Sequence, residues 1–125
     1  MTSRSSKQLV NVLIKIVIKK YKKEEFLESM RMYLEEIRKQ PGCLHYELYQ
    51  DSEKENSYLM VGEWRSAKAM EKHFQTREYE LSLGAAKVLC NTFKIETSEV
   101  LHIGNHDWAR QQIWPRKNTG ESATQ

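Results

Sequence analysis

The sequence predicts an α+β domain, a four-stranded antiparallel sheet with helices on one of its faces. Three observations carry that expectation. Residues 9–18 alternate with period two and are rich in β-branched side chains. Residues 24–39 repeat apolar side chains at spacings of three and four. Two further alternating runs, 43–50 and 57–64, are joined by a short polar link. The 125-residue length leaves room for one such domain. A chain of this size buries under about 70% of the surface its unfolded form exposes, an adequate but not generous core.

Residues 1–7 are a polar lead-in without periodicity. In the first strand Val10, Val12, Ile14, Ile16 and Ile18 fall on one side, and Asn11, Leu13, Lys15, Val17 and Lys19 on the other. One side is wholly apolar and the other mixed, as when helices cover one face and a partner or ligand partly covers the second. The run Lys19-Lys20-Tyr21-Lys22-Lys23 reads as a solvated turn into the first helix. That helix, 24–39, stripes Phe26, Met30, Tyr33, Leu34 and Ile37 along one face. Glu24 and Glu25 in the first turn and Arg38 and Lys39 in the last complement the macrodipole, and Pro41-Gly42 stops it.

The second strand places Cys43, His45, Glu47 and Tyr49 on one side and Leu44, Tyr46, Leu48 and Gln50 on the other. After the link 51–56 the third strand sets Tyr58, Met60, Gly62 and Trp64 against Leu59, Val61 and Glu63, closing an antiparallel hairpin. Ser66 is the N-cap of a helix through Ala67, Ala69, Met70, His73 and Phe74. A second helical stretch, 78–90, offers Tyr79, Leu81, Leu83, Ala86 and Leu89 for burial. The last strand, 91–100, sets Thr92, Lys94, Glu96 and Ser98 against Phe93, Ile95, Thr97 and Glu99.

The order is β-α-β-β-α-β, the ferredoxin-like arrangement, over residues 8–101. Helices on one face leave the other in need of a cover, and a second copy of the chain is the simplest one; a homodimer is expected. Residues 102–115 carry Trp108 and Trp114, which predict an arm packed on its own or the partner's subunit, with a short helix ending before Pro115. Residues 116–125 read as a disordered tail.

Composition excludes several classes. A net charge of +3, from 20 basic and 17 acidic residues that are scattered, does not point to nucleic acid. Cys43 and Cys90 lack metal-ligand spacing, and two free thiols without a signal peptide point to the cytoplasm. No membrane association is expected, since the longest apolar run, 9–18, is short and interrupted by Lys15.

The stretch from Pro41 to Asp51 (PGCLHYELYQD), followed by Glu63-Trp64 and then by Ala69-Met70-Glu71-Lys72-His73-Phe74, resembles the antibiotic biosynthesis monooxygenase family. The resemblance covers roughly residues 9 to 100. It implies a dimeric α+β barrel and allows several chemistries: cofactor-free oxygenation of phenols or quinols, haem degradation, or isomerisation of a small sugar phosphate. In the cofactor-free oxygenases the substrate supplies its own electrons to dioxygen. The protein then has to bind the aromatic in an apolar pocket, deprotonate it and exclude water. Trp64 and His73 match the family's positions for those tasks, Trp64 to stack on a planar substrate and His73 as base or proton shuttle; the competing readings are a core tryptophan at a strand end and a histidine satisfied at the helix surface.

Tyr46 is placed to line the same helix–sheet pocket, with Met70, Tyr79 and Tyr33 as further apolar wall; core packing is the competing reading of each. His45 is assigned a structural place at the dimer face and Glu63 a strand-end or interface charge. Haem degradation is disfavoured, because positions Ile14, His73 and Leu83 depart from what the resemblance requires. His102 and His106 lack a third ligand, and Gly104 argues against a helix joining them. No metal or cofactor is expected. The sequence-level function is thus a cofactor-independent monooxygenase for a small phenolic or quinol-like compound, against a non-catalytic dimeric domain binding a small apolar ligand, or an isomerase of a small metabolite.

Overall fold

The computed structural model describes residues 8–113. Its elements run β1 (Val10–Ile18), α1 (Lys23–Ile37), β2 (Cys43–Gln50), β3 (Ser57–Trp64), α2 (Ala67–Phe74), α3 (Arg77–Leu89), β4 (Cys90–Glu99) and α4 (His106–Gln111). The sheet order is β2-β3-β1-β4 with every neighbouring pair antiparallel. This is the ferredoxin-like topology.

The alternation in β1 works as its pattern predicts. Val10, Val12, Ile14, Ile16 and Ile18 are all buried under the helices, and they meet the α1 stripe of Phe26, Met30, Tyr33, Leu34 and Ile37. Each of these large side chains, taken fully out of water, contributes about 1.5–3 kcal/mol, so this layer dominates the fold's stability. The basic turn between β1 and α1 is solvated: Tyr21 is 88% exposed and adopts a left-handed φ of 69°. Ser66 caps α2, its hydroxyl accepting from Ala69 N at 3.1 Å.

Four details differ from the sequence reading, each for a local reason. Helix α1 ends at Ile37, so Arg38 and Lys39 lie beyond its last turn. The Arg38 guanidinium instead donates from Nε (2.9 Å) and Nη2 (2.6 Å) to the carbonyl of Tyr46, on the strand that edges the sheet among the described residues. In β2 the register shifts between Cys43 and His45, which leaves Leu44 as an extra residue opposite β3. This bulge turns Cys43 onto the helix-facing side with Trp64, where simple alternation had put Leu44; Leu44 is 44% exposed.

Helix α3 starts one turn after α2, capped by Thr76 accepting from Tyr79 N, and that start fixes which side it presents. Ala86 and Leu89 are buried, but Leu81 and Leu83 stand 59% and 38% exposed. Finally β4 begins at Cys90 as the second edge, where helical cover thins, so Phe93 is 36% exposed and Ile95 only half-buried.

Beyond β4, every residue from 101 to 113 is exposed. Trp108 is 39% exposed and stacks on His102 with ring centroids 4.3 Å apart, so the arm shields its tryptophan in part with its own histidine. Trp114, the lead-in 1–7 and the tail 116–125 lie outside the described residues.

Candidate functional site

The end of β3, the start of β2 and the helix α2 converge on one aromatic cluster. Two glycines allow it. Gly42 takes a left-handed φ of 88° and would place a Cβ 2.5 Å from that of Ala69, so α2 packs directly on the α1–β2 turn. Gly62 lies beneath the Tyr46 ring, where any Cβ would overlap it. Trp64 (0% exposed), Tyr46 (1%) and His73 (1%) are therefore sealed inside.

His73 is the polar centre of this cluster. Its imidazole stacks on Trp64 with centroids 5.0 Å apart and planes 24° from parallel, while Tyr79 meets it edge-on at 5.4 Å. Trp64 in turn meets Tyr46 edge-on at 6.3 Å. His73 Nε2 is hydrogen-bonded to the Tyr33 hydroxyl at 2.8 Å. Burial depresses the imidazole from its ordinary 6.5 to about 4, only partly offset by the Glu78 carboxylate, so it is neutral at pH 7. Burial also pushes the Tyr33, Tyr46 and Tyr79 hydroxyls up, which keeps all three protonated. The direction of this bond follows the tautomer: where Tyr33 donates, the imidazole proton rests on Nδ1 and the Nε2 lone pair is the basic site.

Two ring nitrogens of the stacked pair, His73 Nδ1 and Trp64 Nε1, are buried without a hydrogen-bond partner among the described residues. Unpaired polar atoms in so dry a place are uncommon and call for a reason. Trp64 Nε1 carries a hydrogen to donate, and His73 Nδ1 does so when the imidazole proton sits there.

Open space lies beside this cluster more than within it. A void of about 20 Å³ separates sheet and helices near Tyr33, Tyr79 and Ser82, room for about one water molecule. A cleft of about 260 Å³ opens between α1 and α3. Met30, Tyr33 and Ser82 line both spaces. On the opposite, helix-free face of the sheet a shallow concavity of about 600 Å³ includes Lys15, Val17, Tyr49 and Leu59.

The residues singled out by sequence are placed as follows. His73, Trp64, Tyr46 and Tyr79 come together in the ring cluster, and Met70 is buried in the same core. The helix–sheet pocket they were expected to border is packed with their own rings. Trp64 gives one face to His73, and its ring is wholly buried. His45 lies on the open sheet face, between Glu47 (2.9 Å) and Glu63 (3.2 Å). His102 and His106 lie in the exposed arm; among the described residues no three His, Cys, Asp or Glu side chains gather as a metal site. Cys43 and Cys90 are free thiols raised by burial. No described helix is long and apolar enough to cross a membrane.

Sequence reading treated Tyr33 as wall and missed it as the partner of His73. The signal was weak but present: a buried tyrosine usually finds a partner for its hydroxyl, and the core stripe of α1 carries one. The cleft residues Glu78 and Ser82 had no signal, since they matter only through the spacing of two helices.

Comparison with known proteins sets this geometry in a family. The profile of the family described as antibiotic biosynthesis monooxygenase matches residues 9–81. An uncharacterized protein of Synechocystis sp. is 41% identical over 61 residues, 49% of this chain but only 42% of that longer relative. Among solved structures, a Pseudomonas aeruginosa protein superposes with a TM-score of 0.70 at 22% identity, covering 79% of this chain and 100% of the other. SnoaB, a cofactor-independent oxygenase from Streptomyces nogalater, superposes with a TM-score of 0.70 at 17% identity, over 76% of this chain and 95% of that one. At such identities the superpositions speak for the fold alone.

Proposed function

The chain belongs to the antibiotic biosynthesis monooxygenase family, and from that premise we propose that it is a cofactor-independent monooxygenase acting on a small phenolic or quinol-like compound. The observation that carries this is a neutral, fully buried imidazole, His73, held by Tyr33 in an aromatic cluster with little room for water.

The quinol O–H proton passes to His73. The resulting anion is electron-rich at a ring carbon, which reduces dioxygen and bonds to it; loss of water then leaves an oxygen on that carbon and a quinone. Substrate plus O₂ gives hydroxyquinone plus water, with both oxygen atoms accounted for. A resting imidazole near 4 is a weak base, but the imidazolium it forms lies beside the substrate anion, and that pairing raises its proton affinity. Trp64 Nε1, and His73 Nδ1 in the tautomer that protonates it, are unpartnered donors that would hold the anionic oxygens once the ring cluster opens to substrate.

A homodimer closed over the helix-free face is part of this reading: Leu13, Val17, Leu59 and Val61 are half-buried there without helical cover, and a second copy would remove them from water. The two free thiols support a cytoplasmic location. The test is oxygen uptake with a panel of hydroquinones, with His73→Ala as the control; turnover no greater than that control overturns the proposal. The packed interior favours a second reading, a domain that binds a small apolar ligand without transforming it. Saturable binding with no oxygen uptake would select it.

A further inference from the structure

One side chain joins the external cleft to the buried histidine. Tyr33 lines both the 260 Å³ cleft and the 20 Å³ inner void, is 9% exposed, and bonds His73 Nε2 at 2.8 Å. The cleft's apolar walls are Met30, Met32, Leu81 and Ala85, and two of these, Met32 (57%) and Leu81 (59%), are left facing water. Carboxylates of Glu36 and Glu78 also line it, and no basic side chain does so among the described residues. The ring cluster that Tyr33 joins through His73 holds the unpartnered ring nitrogens of His73 and Trp64, on side chains at most 1% exposed that line neither the cleft nor the void.

We propose that the α1/α3 cleft admits a small, uncharged, planar aromatic ligand, and that Tyr33 is its gate. When the phenol ring turns out of the interior, cleft and void become one pocket, and the same motion gives up the hydrogen bond and frees His73 Nε2. Opening and unmasking of the base are then one event. The acidic lining disfavours phosphorylated ligands by like-charge repulsion, chiefly through Glu78, since Glu36 has the Lys39 ammonium 3.6 Å away, and the volume suits one or two fused rings, near the lower end of ligand pockets. The inference rests on reading the chain as an aromatic-binding protein, but not on any catalytic turnover.

The test uses the full chain under argon with 1-naphthol as probe and 1-naphthyl phosphate as its charged counterpart, with affinity from calorimetry and association rate from stopped-flow fluorescence. 1-Naphthol should bind saturably, and the phosphate roughly tenfold or more weaker. Leu81→Trp fills the cleft from an exposed position without entering the core, and should weaken 1-naphthol binding by roughly tenfold or more. Tyr33→Phe keeps the ring and removes the bond to His73 that holds the closed state, so association should speed up about fivefold and affinity should rise by a similar factor. Wild-type affinity in Leu81→Trp overturns the access site, as does the absence of 1-naphthol binding to the wild type. An unchanged association rate in Tyr33→Phe overturns the gate. If the probe behaves as expected and no hydroquinone consumes oxygen, the oxygenase reading falls and this one stands. Oxygen uptake that Leu81→Trp leaves untouched decides the reverse.

Discussion

Acidification should destabilise the fold through His73 before most carboxylates take part. The imidazole is 1% exposed and its affinity for a proton is depressed from 6.5 to about 4. Because the folded value lies below the unfolded one, the unfolded chain takes up this proton first. Stability is therefore complete above about pH 7 and is lost progressively as the pH falls from about 6.5 toward 4. The full loss corresponds to about 3 kcal/mol, of which about 2 kcal/mol is gone by pH 5. With a urea slope of about 1–1.5 kcal/mol per molar for a domain of this size, the unfolding midpoint should drop by roughly 1.5 M between pH 8 and pH 5. His73→Gln cannot titrate; it should start from a lower midpoint and lose less than about a third as much over the same interval. Imidazole NMR titration of the wild type supplies the independent number. Equal losses in wild type and variant, or an imidazole titrating near its ordinary value, would refute the buried, neutral state on which the chemistry is built.

Three further outcomes are expected. Gly62→Ala sets a methyl group into the Tyr46 ring, which has no room to retreat, and should cost about 1–3 kcal/mol, or about 5–15 °C in thermal denaturation; an unchanged Tm would show that the ring does not lie there. Val61→Lys puts a charge in the middle of the helix-free face, paired across the sheet with Leu13 and Glu47, and should weaken self-association about tenfold or more in sedimentation runs. A wild type that sediments as a single chain at micromolar concentration would instead refute the dimer. Truncation after Leu101 removes only exposed residues of the described arm and should move the Tm of the domain by less than about 2 °C, whereas a large drop would show the arm packing on its own subunit.

Long periodic segments were the most legible in the sequence. β1 and α1 could be placed face by face, because nine and fifteen residues of consistent pattern leave one way to hide the apolar side. The Ser66 cap was equally plain, being a short-range bond between neighbours. What escaped depends on geometry that no local pattern encodes. Alternation along β2 cannot reveal the register shift that turns Cys43 inward. The faces of α3 follow from its Thr76 start and its contact with α1, so Leu81 and Leu83 read as core and are not. His73 was legible as a residue of interest; the bond from Tyr33 was not, since the two stand 40 positions apart and meet only after α1 and α2 have packed.

The extra residue in β2 has a wider consequence for how this strand tolerates change. At position 44 what matters is a tally of backbone units, since the side chain itself leans into solvent. Removing that unit would draw the chain up by about 3.3 Å, and something must yield: either the tight seat of Gly42 on Ala69 opens, or Tyr46 rotates to the outer surface and abandons Gly62. A deep mutational scan should therefore find this site among the most forgiving of exchange and among the least forgiving of deletion.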